Sequence, residues 1–149
     1  MGRYKVTDYN EYDAGAKWRM WGNTVGLMTR IENIGASLPD IVHMSKGLIV
    51  FNELKIARSG KIKVRPFQWS MAIKARHDLH PYQWLFVVYD NVQEAYLVFT
   101  INQLKSMRLE SREYGLYFDV TSAKPLYIVK DYEDFKGYIS ELEKLAFGD

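Results

Sequence analysis

Leu48-Ile49-Val50-Phe51-Asn52-Glu53-Leu54-Lys55-Ile56-Ala57 is an apolar run into which charge enters at two alternating positions. Read as a strand, it alternates faces, so Glu53 and Lys55 point one way while Leu54 and Ile56 point into the opposite layer. Just upstream, Ser45-Lys46-Gly47 has turn composition, with glycine where a positive φ is expected. Residues 40–44 and 48–57 therefore read as an antiparallel hairpin. That hairpin carries Pro39-Asp40 back towards Glu53.

Outward from the hairpin, residues 10–22 have helical spacing and a stop at Gly22-Asn23, and residues 27–34 read as a strand broken by Gly35-Ala36-Ser37. Arg58-Ser59-Gly60-Lys61 reads as an exposed basic loop. Pro66 suits a first helical turn, and the helix is expected to continue to His77. Trp84 to Tyr89 is a continuous apolar run, as in a strand covered on both faces. A strand at 94–100, a short helix at 102–107 and a late strand at 114–120 follow. Phe135, Tyr138, Ile139, Leu142, Leu145 and Ala146 trace one helical stripe behind a cap at Asp131. This order predicts an α/β fold, a mixed sheet flanked by helices with a C-terminal helix. It reads as one domain over 1–149, with a core at about 10–100 and an accessory part at 101–149.

The composition narrows the chemistry. The 149 residues carry 20 Lys+Arg against 18 Asp+Glu and include no cysteine, which excludes disulfide frameworks, thiolate nucleophiles and cysteine-based metal clusters. No apolar run approaches the roughly 20 residues of a membrane helix, and the start of the chain does not read as a secretory signal. The expectation is a cytoplasmic protein with no membrane partner. Seven bases and no acid lie between Glu53 and Asp78, whereas from Lys130 onward six acids face three bases. One face is thus suited to a polyanion, unless both stretches are merely solvated. No phosphate-binding glycine loop, nucleophile elbow or paired-histidine zinc motif is present.

Asp40, Glu53 and Lys55 are the group that carries chemistry. Two carboxylates and an ammonium converging at one end of a strand pair suit phosphodiester hydrolysis. Hard oxygen ligands hold Mg²⁺, and a cation offsets charge on the phosphate. The competing reading is structural: Glu53 and Lys55 pair on a solvated face, and Asp40 caps a turn after Pro39. Against it stands the placement of Asn52-Glu53 inside an apolar strand, where an ionised carboxylate is costly without a partner.

Pro39-Asp40 followed by Glu53-Leu54-Lys55 resembles the signature of the PD-(D/E)xK nuclease superfamily. The longer set Thr29 to Asn33, Gly35, Lys61-Ile62-Lys63 and Arg65-Pro66-x-Gln68 is similar to the phage-type VRR-NUC and Holliday-junction-resolvase-like branch. The resemblance spans about residues 16–100 and implies a restriction-endonuclease-like core. It also implies a Mg²⁺-dependent endodeoxyribonuclease, with Mn²⁺ able to substitute, that acts on Holliday junctions or other branched DNA. Asp40, Glu53 and the Leu54 backbone carbonyl match the metal ligands, Lys55 the catalytic lysine and Gln68 the glutamine beside the site. Glu32 is an auxiliary acid by this match, or else a partner of Arg30. Glu11 and Asp13 are alternatives on the first helix.

Arg58, Lys61, Lys63 and Arg65 follow the acidic strand and are expected to grip DNA phosphates, which positions the substrate without reading sequence. A resolvase cuts two strands symmetrically, so a homodimer is expected on that branch. If the protein is phage-encoded, its compartment is the host cytoplasm. The rival readings are a nucleic-acid-binding module that does not cut and a flap- or single-strand-directed nuclease.

Overall fold

The structure, a computed structural model, describes residues 9–31 and 38–148. Helix α1 (Glu11–Gly22) starts where the Asn10 side chain accepts the Asp13 N–H at 2.7 Å, and Glu11 and Asp13 place negative charge in the first turn. Ala14, Trp18 and Trp21 recur on its buried face. Strands β1 (Leu27–Arg30) and β2 (Ile41–Ser45) are antiparallel, and β2 turns directly into β3 (Leu48–Ala57). Lys46 and Gly47 at the turn have φ of 53° and 81°, and Ser45 pairs with Leu48. This is the two-residue turn whose twist matches the strands it joins.

The chain turns again just as tightly. Ser59 and Gly60 have φ of 53° and 75°, while Arg58 and Lys61 exchange backbone hydrogen bonds of 2.9 and 3.0 Å. The expected basic loop is therefore only a turn. Lys61 and Lys63 lie in a strand, β4 (Lys61–Val64), whose Ile62 and Val64 are buried while the lysines face outward. Pro66 opens α2 (Pro66–Ala75), and the chain then enters β5 (Trp84–Asp90), which pairs parallel with β3. Such a pairing requires a crossover, and β4 with α2 provides it.

Strand β6 (Ala95–Thr100) follows, then α3 (Ile101–Lys105) behind a Thr100/Gln103 capping box. Next come β7 (Arg108–Arg112), β8 (Gly115–Asp119), a 3-10 turn at Val120–Ser122, β9 (Tyr127–Val129) and α4 (Tyr132–Phe147). Six strands form one mixed sheet in the order β1-β2-β3-β5-β6-β9, and β4-β8-β7 form a second. Residues beyond 100 thus supply a strand to the main sheet, the larger part of the second sheet and a covering helix.

Alternation sorts the core into two layers. Val50, Leu54, Leu85, Val87, Tyr96 and Val98 face Trp18 of α1 and Phe135, Tyr138 and Leu142 of α4. Ala57, Phe86, Val88, Leu97 and Phe99 face the other way, towards Ala72 of α2, Leu104 of α3 and Ile62 and Phe118 of the second sheet. Strand β5 is buried from Trp84 to Tyr89, as a strand covered on both faces must be. Among the described residues no helix is long and apolar enough to cross a membrane.

Candidate active site

The hairpin does bring Asp40 to Glu53. The β2–β3 register ends at Ile41 opposite Asn52, and one step further sets Asp40 across from Glu53 on the same face. Asp40 sits in the bend before β2, and its Oδ1 accepts the Leu54 N–H at 3.3 Å. Its carboxylate thus reaches across to the backbone of β3, besides the local bond it accepts from its own N–H. The adjacent polar residue has a separate explanation. Asn52 Oδ1 accepts the Trp18 indole N–H at 2.8 Å on the opposite face, so Asn52 ties α1 to the sheet.

Glu53 is only 6% exposed, and the Lys55 Nζ lies 3.4 Å from its Oε2. The two do pair, but in a buried setting and not on a solvated face. Burial pushes the Glu53 carboxyl up to about 7, and the nearby Asp40 charge adds to the rise while Lys55 and the Gln68 amide oppose it. Asp40 is also raised by burial, against the pull of the Leu54 N–H, Lys55 and Arg30. Gln68, in the first turn of α2, approaches Glu53 from across the crossover, and its Oε1 is buried without a hydrogen-bond partner.

These features fit a hard cation. Two carboxylates that are costly to ionise and an amide oxygen without a donor are what a small divalent ion would satisfy. Among the described residues no group of three histidine, cysteine or acidic side chains gathers in ligating geometry. The donor set is thus two carboxylates completed by neutral oxygens, which suits an ion that keeps part of its water shell. Leu54 meets this group through its backbone N–H, which donates to Asp40, while its side chain is in the core.

A cleft of about 760 Å³ opens over this group, and Asp40, Glu53, Lys55 and Gln68 line it. So do Arg58, Lys61, Lys63 and Arg65, the whole basic set read from the sequence. Of the two acids on the first helix, Glu11 lines the cleft and Asp13 does not. Glu32 lies outside the described residues. Among the lining residues not foreseen as part of the site are Arg112 and Tyr117, stacked with the guanidinium carbon 4.3 Å from the ring centroid. The alternation Arg108-Leu-Glu-Ser-Arg112 was the available signal, but nothing local ties it to residues 50 positions earlier.

The mixed sheet, with its parallel β3–β5 pair, flanking helices and carboxylates at the end of a hairpin, has the restriction-endonuclease-like architecture. Among solved structures, the chain is similar to the Holliday junction resolvase Hjc of the archaeal hyperthermophile Archaeoglobus fulgidus. The TM-score is 0.51 and the identity 13%, over 76% of this chain and 90% of that one. It is also similar to D212, a nuclease from a fusselovirus, with a TM-score of 0.45 and 12% identity over 86% of each chain. At such identities the likeness to the resolvase is one of fold. No protein-family model and no curated protein sequence matches the chain.

Proposed function

We propose that the protein is a Mg²⁺-dependent endodeoxyribonuclease of the PD-(D/E)xK type that cleaves branched DNA such as a Holliday junction. The observation that carries this reading is the convergence of Asp40, Glu53, Lys55 and Gln68 on the wall of a basic cleft. Asp40 and Glu53 would hold the metal, with the Leu54 carbonyl and water completing its shell. Bound there, Mg²⁺, or Mn²⁺ in its place, supplies polarisation of the phosphate and acidification of a water.

The chain's own residues do the rest. Lys55, fixed by Glu53, presents its ammonium where negative charge grows on the phosphate. Gln68 orients a water through its unpartnered amide oxygen. Burial keeps bulk water from weakening these interactions. Arg58, Lys61, Lys63 and Arg65 hold the DNA backbone across the cleft mouth.

Two observations support the finer parts of the reading. The fold is shared with a protein described as a Holliday junction resolvase, which favours branched DNA. On the outer face of β1-β2-β3, Leu27, Met44 and Ile49 are all exposed and lie in one cross-strand row, a surface suited to a second copy of the chain. The cytoplasm, where DNA is accessible, is the compartment we assign to this activity.

The test is a panel of labelled four-way junctions, flaps, nicked and plain duplexes and single strands, incubated with protein in Mg²⁺, Mn²⁺ or chelator. Metal-dependent cutting of the junction, abolished in Asp40→Ala, is the expected result. Binding without cutting in either metal would favour the non-catalytic module, and preferential cutting of flaps or single strands would favour that class of nuclease. Sedimentation of wild type against Met44→Lys reports on the second copy.

A further inference from the structure

The three-stranded sheet has one polar face, and its register is informative. Lys61 lies across from Asp119, which lies across from Arg108; Lys63 lies across from Tyr117, which lies across from Glu110. Arg112, two residues beyond Glu110, shares that side. Ile62, Val64 and Phe118 fill the other side. Gly115 gives Lys63 its path, because a Cβ there would stand 2.8 Å from the Lys63 Cε.

On the polar face one carboxylate oxygen serves two cations. Glu110 Oε1 accepts from Arg112 Nη2 at 2.9 Å and lies 3.4 Å from Lys61 Nζ. The three side chains are 53%, 47% and 40% exposed, so the fold gains little from holding them together. Yet Lys61, Arg112 and the Tyr117 ring beneath Arg112 all line the cleft that contains Asp40 and Glu53. An oxygen shared by a guanidinium and an ammonium has the environment a DNA phosphate oxygen receives.

We propose that the β7–β8 hairpin is the second wall of the DNA cleft, and that Glu110 is an internal stand-in for a backbone phosphate, exchanged for the real one when DNA enters. This inference rests on the nuclease reading above. In the DNA-free protein Glu110 keeps Lys61 and Arg112 aligned and partly neutralised. Incoming phosphate takes both cations, and the released carboxylate gathers a counterion from solution. Part of the usual counterion release is thereby cancelled, which makes the exchange selective for a phosphate placed between the two cations.

The experiment compares Glu110→Gln with Glu113→Gln, a neutralisation of an exposed acid on the same hairpin; neither carboxylate itself lines the cleft, but Glu110 holds the lining cations Lys61 and Arg112. Fluorescence anisotropy of labelled duplex and four-way junction is read in chelator, over a range of salt. Glu110→Gln is expected to bind severalfold tighter at low salt, with log K falling more steeply against log salt by about one unit. Glu113→Gln should shift both far less. Arg112→Ala and Tyr117→Ala should weaken binding, and Arg112→Ala should cost more in the Glu110→Gln background, where Arg112 is no longer shared.

Weaker binding by Glu110→Gln, equal effects of the two glutamines, or unchanged binding by Arg112→Ala and Tyr117→Ala would overturn the proposal. Should wild type neither bind nor cut DNA, the nuclease reading itself fails. Wild type that binds and cuts while every hairpin variant matches it removes the hairpin alone.

Discussion

Replacing Glu53 with glutamine in metal-free buffer should stabilise the protein at neutral and alkaline pH while abolishing its response to Mg²⁺. The folded protein holds this carboxyl at about 7 against an ordinary 4.5, chiefly through burial. A raised carboxyl pKa means that the native state binds a proton more tightly than the unfolded chain. Its contribution is fully present below pH 4.5 and is lost as pH rises through about 7. At about 1.4 kcal/mol per unit, the loss amounts to about 3 kcal/mol above pH 8. Part of it comes from the Asp40 charge, which adds to the rise that burial imposes on Glu53.

Glutamine keeps the volume and removes the titration, so it opens no cavity. It also leaves Lys55 without its carboxylate partner at 3.4 Å, which trims the gain. Urea unfolding in chelator at about pH 4 and pH 8 should show wild type weakening by about 3 kcal/mol relative to the variant across that interval, or roughly 6–12 °C in melting temperature for a chain of this size. With Mg²⁺, wild type should recover at pH 8 and the variant should not. The apparent metal affinity of wild type should rise with pH as the metal displaces the proton. Parallel pH dependence of wild type and variant, or an equal Mg²⁺ response in both, would refute the claim that Glu53 is a buried carboxylate built for a cation.

Three further outcomes are expected. Asp40→Ala should lose cleavage and keep the fold, at a cost of about 1 kcal/mol from the Leu54 N–H that loses its acceptor; nicking assays and urea melts check the two halves separately. Lys55→Ala should lower the single-turnover rate by about 10²–10³ with little change in DNA affinity, because its charge matters most in the transition state; lost affinity with a retained rate would make Lys55 a phosphate grip only. Neutralising Arg58, Lys61 and Lys63 together should flatten log K against log salt by between two and three units, at about 0.9 per phosphate contact on duplex DNA; an unchanged slope would place the DNA elsewhere.

How much of this was legible in the sequence follows from sequence separation. Asp40, Glu53 and Lys55 come from one hairpin, and its two-residue turn at Lys46-Gly47 fixes the register, so periodicity alone brings them together. Gln68 lies across a crossover, and only the family resemblance pointed to it. Arg112 and Tyr117 were invisible because β4 finds its partner β8 more than 50 residues later. Strand β7 has five exposed residues and β9 only three residues in all, too little apolar pattern to read. Asn52 misled for the same reason, since its partner Trp18 is 34 positions away.

The basic run shows how position turns a charge count into a site. Of its seven cations, Lys55, Arg58, Lys61, Lys63 and Arg65 line the cleft, because the tight turn at Ser59-Gly60 folds β4 back beside the end of β3. Lys74 and Arg76 do not line it. They lie at the far end of α2, where they favour the helix C-terminus, and Arg76 hydrogen-bonds Asn102. The acidic C-terminal segment forms α4, whose apolar stripe packs on the sheet face opposite to Glu53 and Lys55. One of its acids, Glu143, pairs with Lys46 at the hairpin turn. The sheet therefore separates the two charge runs: the face that burial assigns to α4 takes the acids, and the face left to the second sheet keeps a positive cleft over two carboxylates. A polyanion approaching the protein is drawn to the side that carries Asp40 and Glu53.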